Sequence, residues 1–239
     1  MKRLAVILLA ITMISCNKEA DKLPNPFFES WETPYGVPPF SSIKDYHYQP
    51  AFEQAMALHD EEIDTIVNNK EDATFSNTIE AMDRSGRMLS DVSNVFGMLC
   101  AAETNDALQE LEGKIMPQLA AHSDRILMNE ALFARVKAVY DTRNSLDLDA
   151  DQIRLTEKIY DDFVRSGALL DSQKKARLME INEELSALSV RFGSNVLAEN
   201  NNFVMYQTEK EVATLPTSVK DAARLKAKEL GEEGKYAFT

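Results

Sequence analysis

The sequence predicts an all-α protein, and two observations support this fold class. After Pro50, apolar residues recur at steps of three and four almost to the C-terminus, a spacing that places them on one face of successive helices. No β-hairpin signal precedes Gly234. We therefore expect a multi-helix lobe over residues 43–234, preceded by a leader and an extended arm.

The first sixteen residues have the pattern of an export signal. Lys2 and Arg3 precede an apolar run over residues 4–14, which is shorter than the roughly 20 residues needed to span a bilayer. A small residue directly before Cys16 resembles the lipobox of bacterial lipoproteins, whose cysteine thiol is acylated. We expect residues 1–15 to be a signal peptide and Cys16 to carry a lipid that anchors an exported protein to the cell envelope. A plain signal peptide with a chance cysteine is the alternative.

Charge and cysteine content narrow the function classes further. The formal net charge is −13, and removal of Lys2 and Arg3 with the signal peptide would lower it to −15. Such an acidic protein repels nucleic acid, and any membrane attachment should come from the lipid on Cys16 and not from a basic helix. With Cys16 acylated, Cys100 is the one remaining thiol, so stability must come from apolar burial.

Residues 16–42 predict a tether and an extended arm. Five prolines in this stretch exclude regular helix or strand. Its aromatic residues are too apolar for a purely disordered linker, and we expect part of the arm to lie against a folded surface. These aromatic residues are Phe27, Phe28, Trp31, Tyr35 and Phe40.

Seven segments with helical periodicity follow the arm. The clearest begins at Ser172 and ends near Asn200, with apolar residues at three-four spacing: Leu178, Ile181, Leu185, Leu188, Phe192 and Val196. A second begins at Asn77 and continues past Leu99, and Glu80 completes a capping box with Asn77. The other predicted helices cover residues 47–69, 104–127, 129–143, 151–166 and 218–230.

The last five residues, 235–239, alternate polar with aromatic or small side chains and predict the first residues of a strand. No segment upstream has the pattern of a partner strand. We therefore expect the chain to be truncated within a larger protein.

The search for catalytic and metal-binding residues finds no complete site. A hydrolytic zinc site commonly uses two histidines one helical turn apart, but His47, His59 and His122 are widely spaced. The spacing of His59 and Glu62 is typical of a solvated helix face. We expect His122 to be a core histidine with a hydrogen-bond partner. We expect His47 to anchor the packing where the arm meets the first helix, and Cys100 to be a small buried hydrophobic residue. No catalytic, cofactor-binding or metal-binding residue is predicted in this chain.

Several sequence runs, in this order and spacing, resemble the zinc oligopeptidases of peptidase family M3, which include bacterial peptidyl-dipeptidase, thimet oligopeptidase and neurolysin. The likeness is greatest to the peptidyl-dipeptidase branch. The runs are Tyr46–Glu53, Phe75–Gly86, Thr104–Gln109, Asn129–Val136, Ile153–Ala168 and Leu178–Asn200.

This resemblance implies a clam-like, mostly helical enzyme whose two lobes enclose a channel, with zinc held by an H-E-x-x-H motif and a later glutamate. That motif belongs to the family's second half, which this chain does not reach. The resemblance therefore implies an N-terminal, channel-walling lobe truncated before the catalytic half. The full-length protein would remove C-terminal dipeptides from short peptides.

Two alternatives stay open at this stage. One is an endopeptidase of the same family, and the other is a lipid-anchored helical binding module without activity. We expect the chain alone to bind no zinc and to cleave nothing. We also expect it to expose apolar faces that the missing half would cover.

Overall fold

The computed structural model describes residues 24–239 and confirms the predicted all-α class. The signal peptide and Cys16 lie outside the described residues. Eight α-helices follow the arm in the described part of the chain: α1 Asp45–Val67, α2 Ala81–Arg84, α3 Arg87–Ala102, α4 Asp106–Leu127, α5 Glu130–Thr142, α6 Ala150–Arg165, α7 Ser172–Asn202 and α8 Thr217–Glu229. Two short strands are β1 Met205–Gln207 and β2 Tyr236–Phe238. Over residues 24–239, no helix has both the length and the apolar character needed to cross a membrane.

Side-chain caps set where several helices begin. The side-chain oxygens of Asn105, Asn129 and Asp171 each accept a backbone N–H in the first turn of α4, α5 and α7, at 2.9 Å. Asp149 and Gln152 form a reciprocal capping box at the start of α6. Each cap satisfies one of the backbone donors that a helix start leaves without a partner.

The helix predicted from Asn77 past Leu99 is interrupted, so that prediction is wrong in its extent. Residues 75–80 form a π-helical turn, and α2 then ends before Ser85 and Gly86. Gly86 has a φ of 68°, a left-handed conformation that an ordinary helix does not accommodate, and the chain restarts there as α3. The cap also lies three residues earlier than predicted, because Thr74 caps the turn and Asn77 supplies the reciprocal bond.

Two main apolar clusters hold the helices together. The first joins α1, α3 and α4 around Phe52, Phe96 and Ile115, and it also includes Phe27 from the arm, whose ring lies 5.4 Å from that of Tyr48. The second joins the end of α1, the π-helical turn, α5 and α6, and its most buried members are Ile79, Leu132, Val136, Val139 and Phe163.

The predicted C-terminal strand exists, but the expectation that nothing upstream could pair with it is wrong. β2 pairs antiparallel with β1, with Tyr206 opposite Ala237. β1 has only three residues, and α8 separates the two strands along the chain. Such a short, non-consecutive pair has no hairpin turn between its strands, which is the feature by which a hairpin is recognised in a sequence.

Candidate functional site

The three histidines were the main candidates for chemistry, and the structure gives His47 a structural role. Its side chain is buried within the first turn of α1. Its Nδ1 accepts a hydrogen bond from the backbone N–H of Lys44 at 3.0 Å. His47 therefore anchors the start of α1, as the sequence predicted.

His59 of α1 and His122 of α4 lie side by side, although 63 positions separate them in the chain. The Nε2 of His122 is 3.0 Å from the Nδ1 of His59. His59 Nε2 lies 3.2 Å from the hydroxyl of Ser85, and an Arg125 Nη lies 3.1 Å from His122 Nδ1. A hydrogen-bonded chain therefore crosses from α4 through α1 to the break before α3.

The two ends of this chain fix the proton positions within it. Ser85 donates its hydroxyl hydrogen to the carbonyl of Met82 at 2.7 Å, so its oxygen accepts from His59 Nε2–H. Arg125 can only donate, so His122 Nδ1 accepts. His122 then donates from Nε2 to the unprotonated Nδ1 of His59, and both imidazoles are neutral.

The electrostatic surroundings agree with two neutral rings. Burial lowers the pKa of His59, while the carboxylates of Glu62 and Asp60 act in the opposite direction. Burial also lowers the pKa of His122, while the Asp60 carboxylate, 3.4 Å from His122 Nδ1, acts in the opposite direction. His59 and Arg125 lower the His122 pKa further. A second proton on His59 Nδ1 would face the N–H of His122, and one on His122 Nδ1 would face the N–H of Arg125.

The sequence-based interpretation of His59 and Glu62 as a solvated helix face is wrong. Both side chains are partly buried, and both support the break between α2 and α3. The carboxylate of Glu62 accepts a hydrogen bond from the backbone N–H of Gly86 at 2.7 Å. The His59 ring lies where a side chain at Gly86 would stand, because a Cβ there would be 2.9 Å from His59 Cε1. The prediction for His122, a buried histidine with hydrogen-bond partners, is confirmed.

Helix α7 packs along α4 through a face of mixed polar and apolar side chains, while its charged side chains other than Lys175 lie on the solvent side. The inward side chains are buried or partly buried, and most are small or polar: Lys175, Met179, Asn182, Ser186, Val190, Ser194 and Leu197. Of the six apolar residues that predicted this helix, Leu178 is partly buried beside Gly167, and the other five are exposed. Five of them form what we call the α7 apolar stripe, with 41 to 71% of each residue exposed: Ile181, Leu185, Leu188, Phe192 and Val196.

Specific polar contacts hold the inward face in place. The amide of Asn182 donates to both carboxylate oxygens of Asp124 on α4, at 2.9 and 3.0 Å, and Asp124 is only 7% exposed. The buried ammonium of Lys175 donates to Glu130 at 3.1 Å. Because these contacts fix the rotation of α7 about its axis, the outward position of the stripe is a defined feature of the fold.

Sequence comparison identifies relatives of this chain. It is 43% identical over 174 residues to the dipeptidyl carboxypeptidase of Salmonella typhimurium. The aligned region covers 73% of this chain and 26% of that relative. The Escherichia coli dipeptidyl carboxypeptidase is 41% identical over 178 residues, or 74% of this chain and 26% of the relative. Oligopeptidase A of Haemophilus influenzae is 30% identical over 209 residues, or 85% of this chain and 30% of the relative.

The chain belongs to the M3 peptidase family and corresponds to its N-terminal part. It spans about a quarter to a third of the length of these relatives. No protein-family model matches the chain.

The described part of this M3 segment does not fit a zinc ion. Among residues 24–239, no group of three or more histidine, cysteine, aspartate or glutamate side chains is arranged to hold a metal. The facing nitrogens of His59 and His122 already bind each other. No catalytic step is therefore assigned to these residues.

The remaining nucleophile candidate of the M3 segment is Cys100, on α3. It is partly buried and packs against the first apolar cluster, as the sequence predicted. Burial, assisted by the Glu112 carboxylate, raises the pKa of its thiol to about 11. Since the thiolate is the nucleophilic form, this cysteine is unsuited to catalysis near neutral pH.

Proposed function

We propose that this chain is the N-terminal, channel-walling lobe of a zinc peptidase that removes dipeptides from the C-termini of oligopeptides. The observation that carries the proposal is the difference in identity between two groups of relatives. The chain is 43 and 41% identical to two dipeptidyl carboxypeptidases, but 30 and 28% identical to oligopeptidases A. This difference favours the exopeptidase over the endopeptidase.

Zinc, when bound by the remainder of the full-length enzyme, would polarise the scissile carbonyl and activate a water molecule. The role of the present lobe is different. Its helices would form part of the wall around the channel, which excludes folded proteins and admits short peptides. The wall would therefore restrict the enzyme to oligopeptide substrates.

The activity is tested on the protein encoded by the complete reading frame. We expect the frame to continue past the codon for Thr239 and to encode H-E-x-x-H within the next several hundred residues. The purified protein should release dipeptides from a peptide with a free C-terminus and spare the same peptide with a C-terminal amide. Cleavage of both peptides at internal bonds would instead support the endopeptidase, which the oligopeptidase A relatives favour. A frame that stops soon after Thr239 would point to a non-enzymatic binding module.

We further propose that the protein is exported and held in the cell envelope by a lipid on Cys16. The support is the sequence pattern of residues 1–16. The test is palmitate labelling of the expressed protein, with Cys16→Ser as the matched control. Labelling should be present in the wild type, be lost in the control, and be accompanied by globomycin-sensitive processing. Unlabelled protein with normal processing would leave only a plain signal peptide.

A further inference from the structure

A cavity of about 650 Å³ lies between α1, α4 and the first two turns of α7. Small-molecule sites typically have volumes of about 300–1,000 Å³, so the cavity has the size of such a site. Apolar side chains, among them Ile63, Ile126 and Met179, form part of its wall, and charged side chains of both signs also line it. An apolar wall with a few convergent polar groups is the usual form of a site for a small ligand.

The carboxylate of Asp124 is the first group in this wall that points to a ligand. Asp124 is only 7% exposed, and both of its carboxylate oxygens accept from the neutral amide of Asn182, at 2.9 and 3.0 Å. The two cations that line the cavity, Arg125 and Lys175, pair with other carboxylates. Within residues 24–239, no ion pair joins Asp124 to a cationic side chain. Because a buried charge is costly without an opposite charge beside it, Asp124 is suited to a ligand that supplies an ammonium group.

The ammonium of Lys175 is the second group. Lys175 is 8% exposed, and its ammonium carries three N–H donors. Among the described residues it has two acceptors, the carboxylate of Glu130 at 3.1 Å and the carbonyl of Met128 at 3.5 Å. One donor is therefore left for an acceptor on a ligand. A carboxylate is the strongest acceptor for it, because hydrogen bonds between two charged groups are stronger than neutral ones.

We propose that this cavity binds a small zwitterion with an apolar body, namely a free amino acid or a dipeptide. The ammonium group of the ligand pairs with Asp124, its carboxylate accepts from Lys175, and its apolar part lies against Ile126 and Met179. Asn182 orients the carboxylate of Asp124 and leaves further lone pairs on both oxygens for the ligand. This inference concerns binding alone and does not depend on the proposed peptidase activity.

The chemistry of the wall separates this ligand class from two simpler ones. An amine without a carboxylate would leave the third donor of Lys175 unused. A metal ion would need several ligands around one point, and no group of three or more histidine, cysteine, aspartate or glutamate side chains within residues 24–239 has that arrangement. A zwitterion satisfies both Asp124 and Lys175.

The test is calorimetric titration of the purified 239-residue chain with L-leucine and with L-leucyl-L-leucine. We expect saturable binding of at least one of them at one molecule per chain. Tighter binding of L-leucine would assign the site to free amino acids, and tighter binding of L-leucyl-L-leucine would assign it to dipeptides. The N-acetylated and the C-terminally amidated forms of the tighter ligand should each bind on the order of tenfold or more weakly, because each lacks one charge.

Three variants locate the site. Asp124→Asn keeps an acceptor for Asn182 but removes the charge, and it should weaken binding on the order of tenfold or more. Met179→Trp narrows the cavity without a change of charge and should also weaken binding. The matched control is Asp161→Asn, which removes an exposed carboxylate of α6 outside the cavity and should leave the affinity unchanged. Circular dichroism shows whether each variant retains the helical fold.

Lys175→Met tests the second contact separately. In this variant the zwitterion and its amidated form should bind with equal affinity, because the partner of the carboxylate is gone. A persistent preference for the free carboxylate would overturn the role of Lys175. Absence of saturable binding by both zwitterions, or wild-type affinity in folded Asp124→Asn and Met179→Trp, would overturn the site.

Discussion

His122 donates a hydrogen bond from Nε2 to Nδ1 of His59 across 3.0 Å, and this contact ties α4 to α1 beside the apolar cluster that the two helices share. The donor and acceptor roles are fixed from outside the pair, by Ser85 at one end and by Arg125 at the other. The pair therefore tolerates no additional proton without loss of a bond. Because protonation of either ring would break a hydrogen bond, we expect the stability of the fold to depend on pH.

We predict that the free energy of unfolding falls as the pH is lowered below about 6.5, the ordinary histidine pKa. Burial lowers the pKa of His59 and of His122 in the folded protein, so the unfolded chain binds protons more readily. The stabilisation is thus complete above the unfolded pKa and is lost as the pH falls toward the folded values. Urea unfolding between pH 8 and pH 5 measures this dependence.

Two substitutions isolate the contribution of the pair from that of the many carboxylates. His59→Gln should flatten the pH dependence relative to the wild type, while His47→Gln, at the start of α1, should leave the contribution of the pair intact. Equal slopes in the wild type and in His59→Gln would show that the pair does not control the acid sensitivity.

The second prediction concerns the break between α2 and α3. Gly86→Ala should destabilise the protein by about 1–3 kcal/mol, because alanine must adopt a left-handed φ and its Cβ would contact the His59 ring. The matched control is Gly97→Ala within α3, where a Cβ meets nothing within 4 Å. There we expect a gain of about 0.5–1 kcal/mol, since glycine weakens a helix interior. Chemical denaturation of both variants gives the values, and equal effects would contradict the assigned strain.

The third prediction concerns the contact that fixes the rotation of α7. Asn182→Ala should cost about 1–3 kcal/mol, because it leaves the carboxylate of Asp124 buried without its amide donor. Hydrogen exchange of the α7 amides should also accelerate. Glu183→Ala, on the exposed side of the same turn, serves as the control and should change neither quantity. Unchanged exchange in Asn182→Ala would mean that other contacts hold the helix.

These three features differ in how far the sequence could reveal them. The helices themselves follow from local patterns, and caps such as Asn105 and Asn129 lie within three residues of the N–H groups that they bind. The contact of His59 with His122 joins residues 63 positions apart, and no local pattern records it. The predicted helix that begins at Asn77 is broken at Gly86, and this glycine was the visible signal for the break, since glycine in a helical pattern marks a possible stop.

The orientation of α7 was the least predictable feature. Its apolar spacing correctly predicts a helix that includes Leu185 and Phe192, and the same spacing ordinarily indicates the buried face. Here the buried face is chosen by Asn182 and Lys175, whose partners lie on α4 and at the start of α5. Periodicity alone cannot distinguish an apolar face that is buried from one that is exposed.

The fourth prediction concerns the thiol of Cys100. In a protein that carries Cys16→Ser, Cys100, whose pKa burial raises to about 11, should react with a maleimide or a disulfide reagent at pH 7.5 on the order of 100-fold more slowly than in the urea-unfolded chain. Cys100→Ser should abolish the slow reaction and identify its source. Fast labelling of the folded protein would contradict the burial of this side chain.

The final prediction is that the purified 239-residue chain contains substoichiometric zinc and cleaves no peptide. A catalytic zinc site uses about three protein ligands and an open position, whereas the imidazoles of His59 and His122 bind each other and His47 caps α1. Elemental analysis after dialysis against zinc gives the metal content, and peptide digestion with and without a chelator gives the activity. The full-length protein is the control, in which zinc should be equimolar and cleavage chelator-sensitive. Equimolar zinc in the 239-residue chain, or chelator-sensitive cleavage by it, would require a rearrangement that separates His59 from His122, and His122→Gln would then remove both.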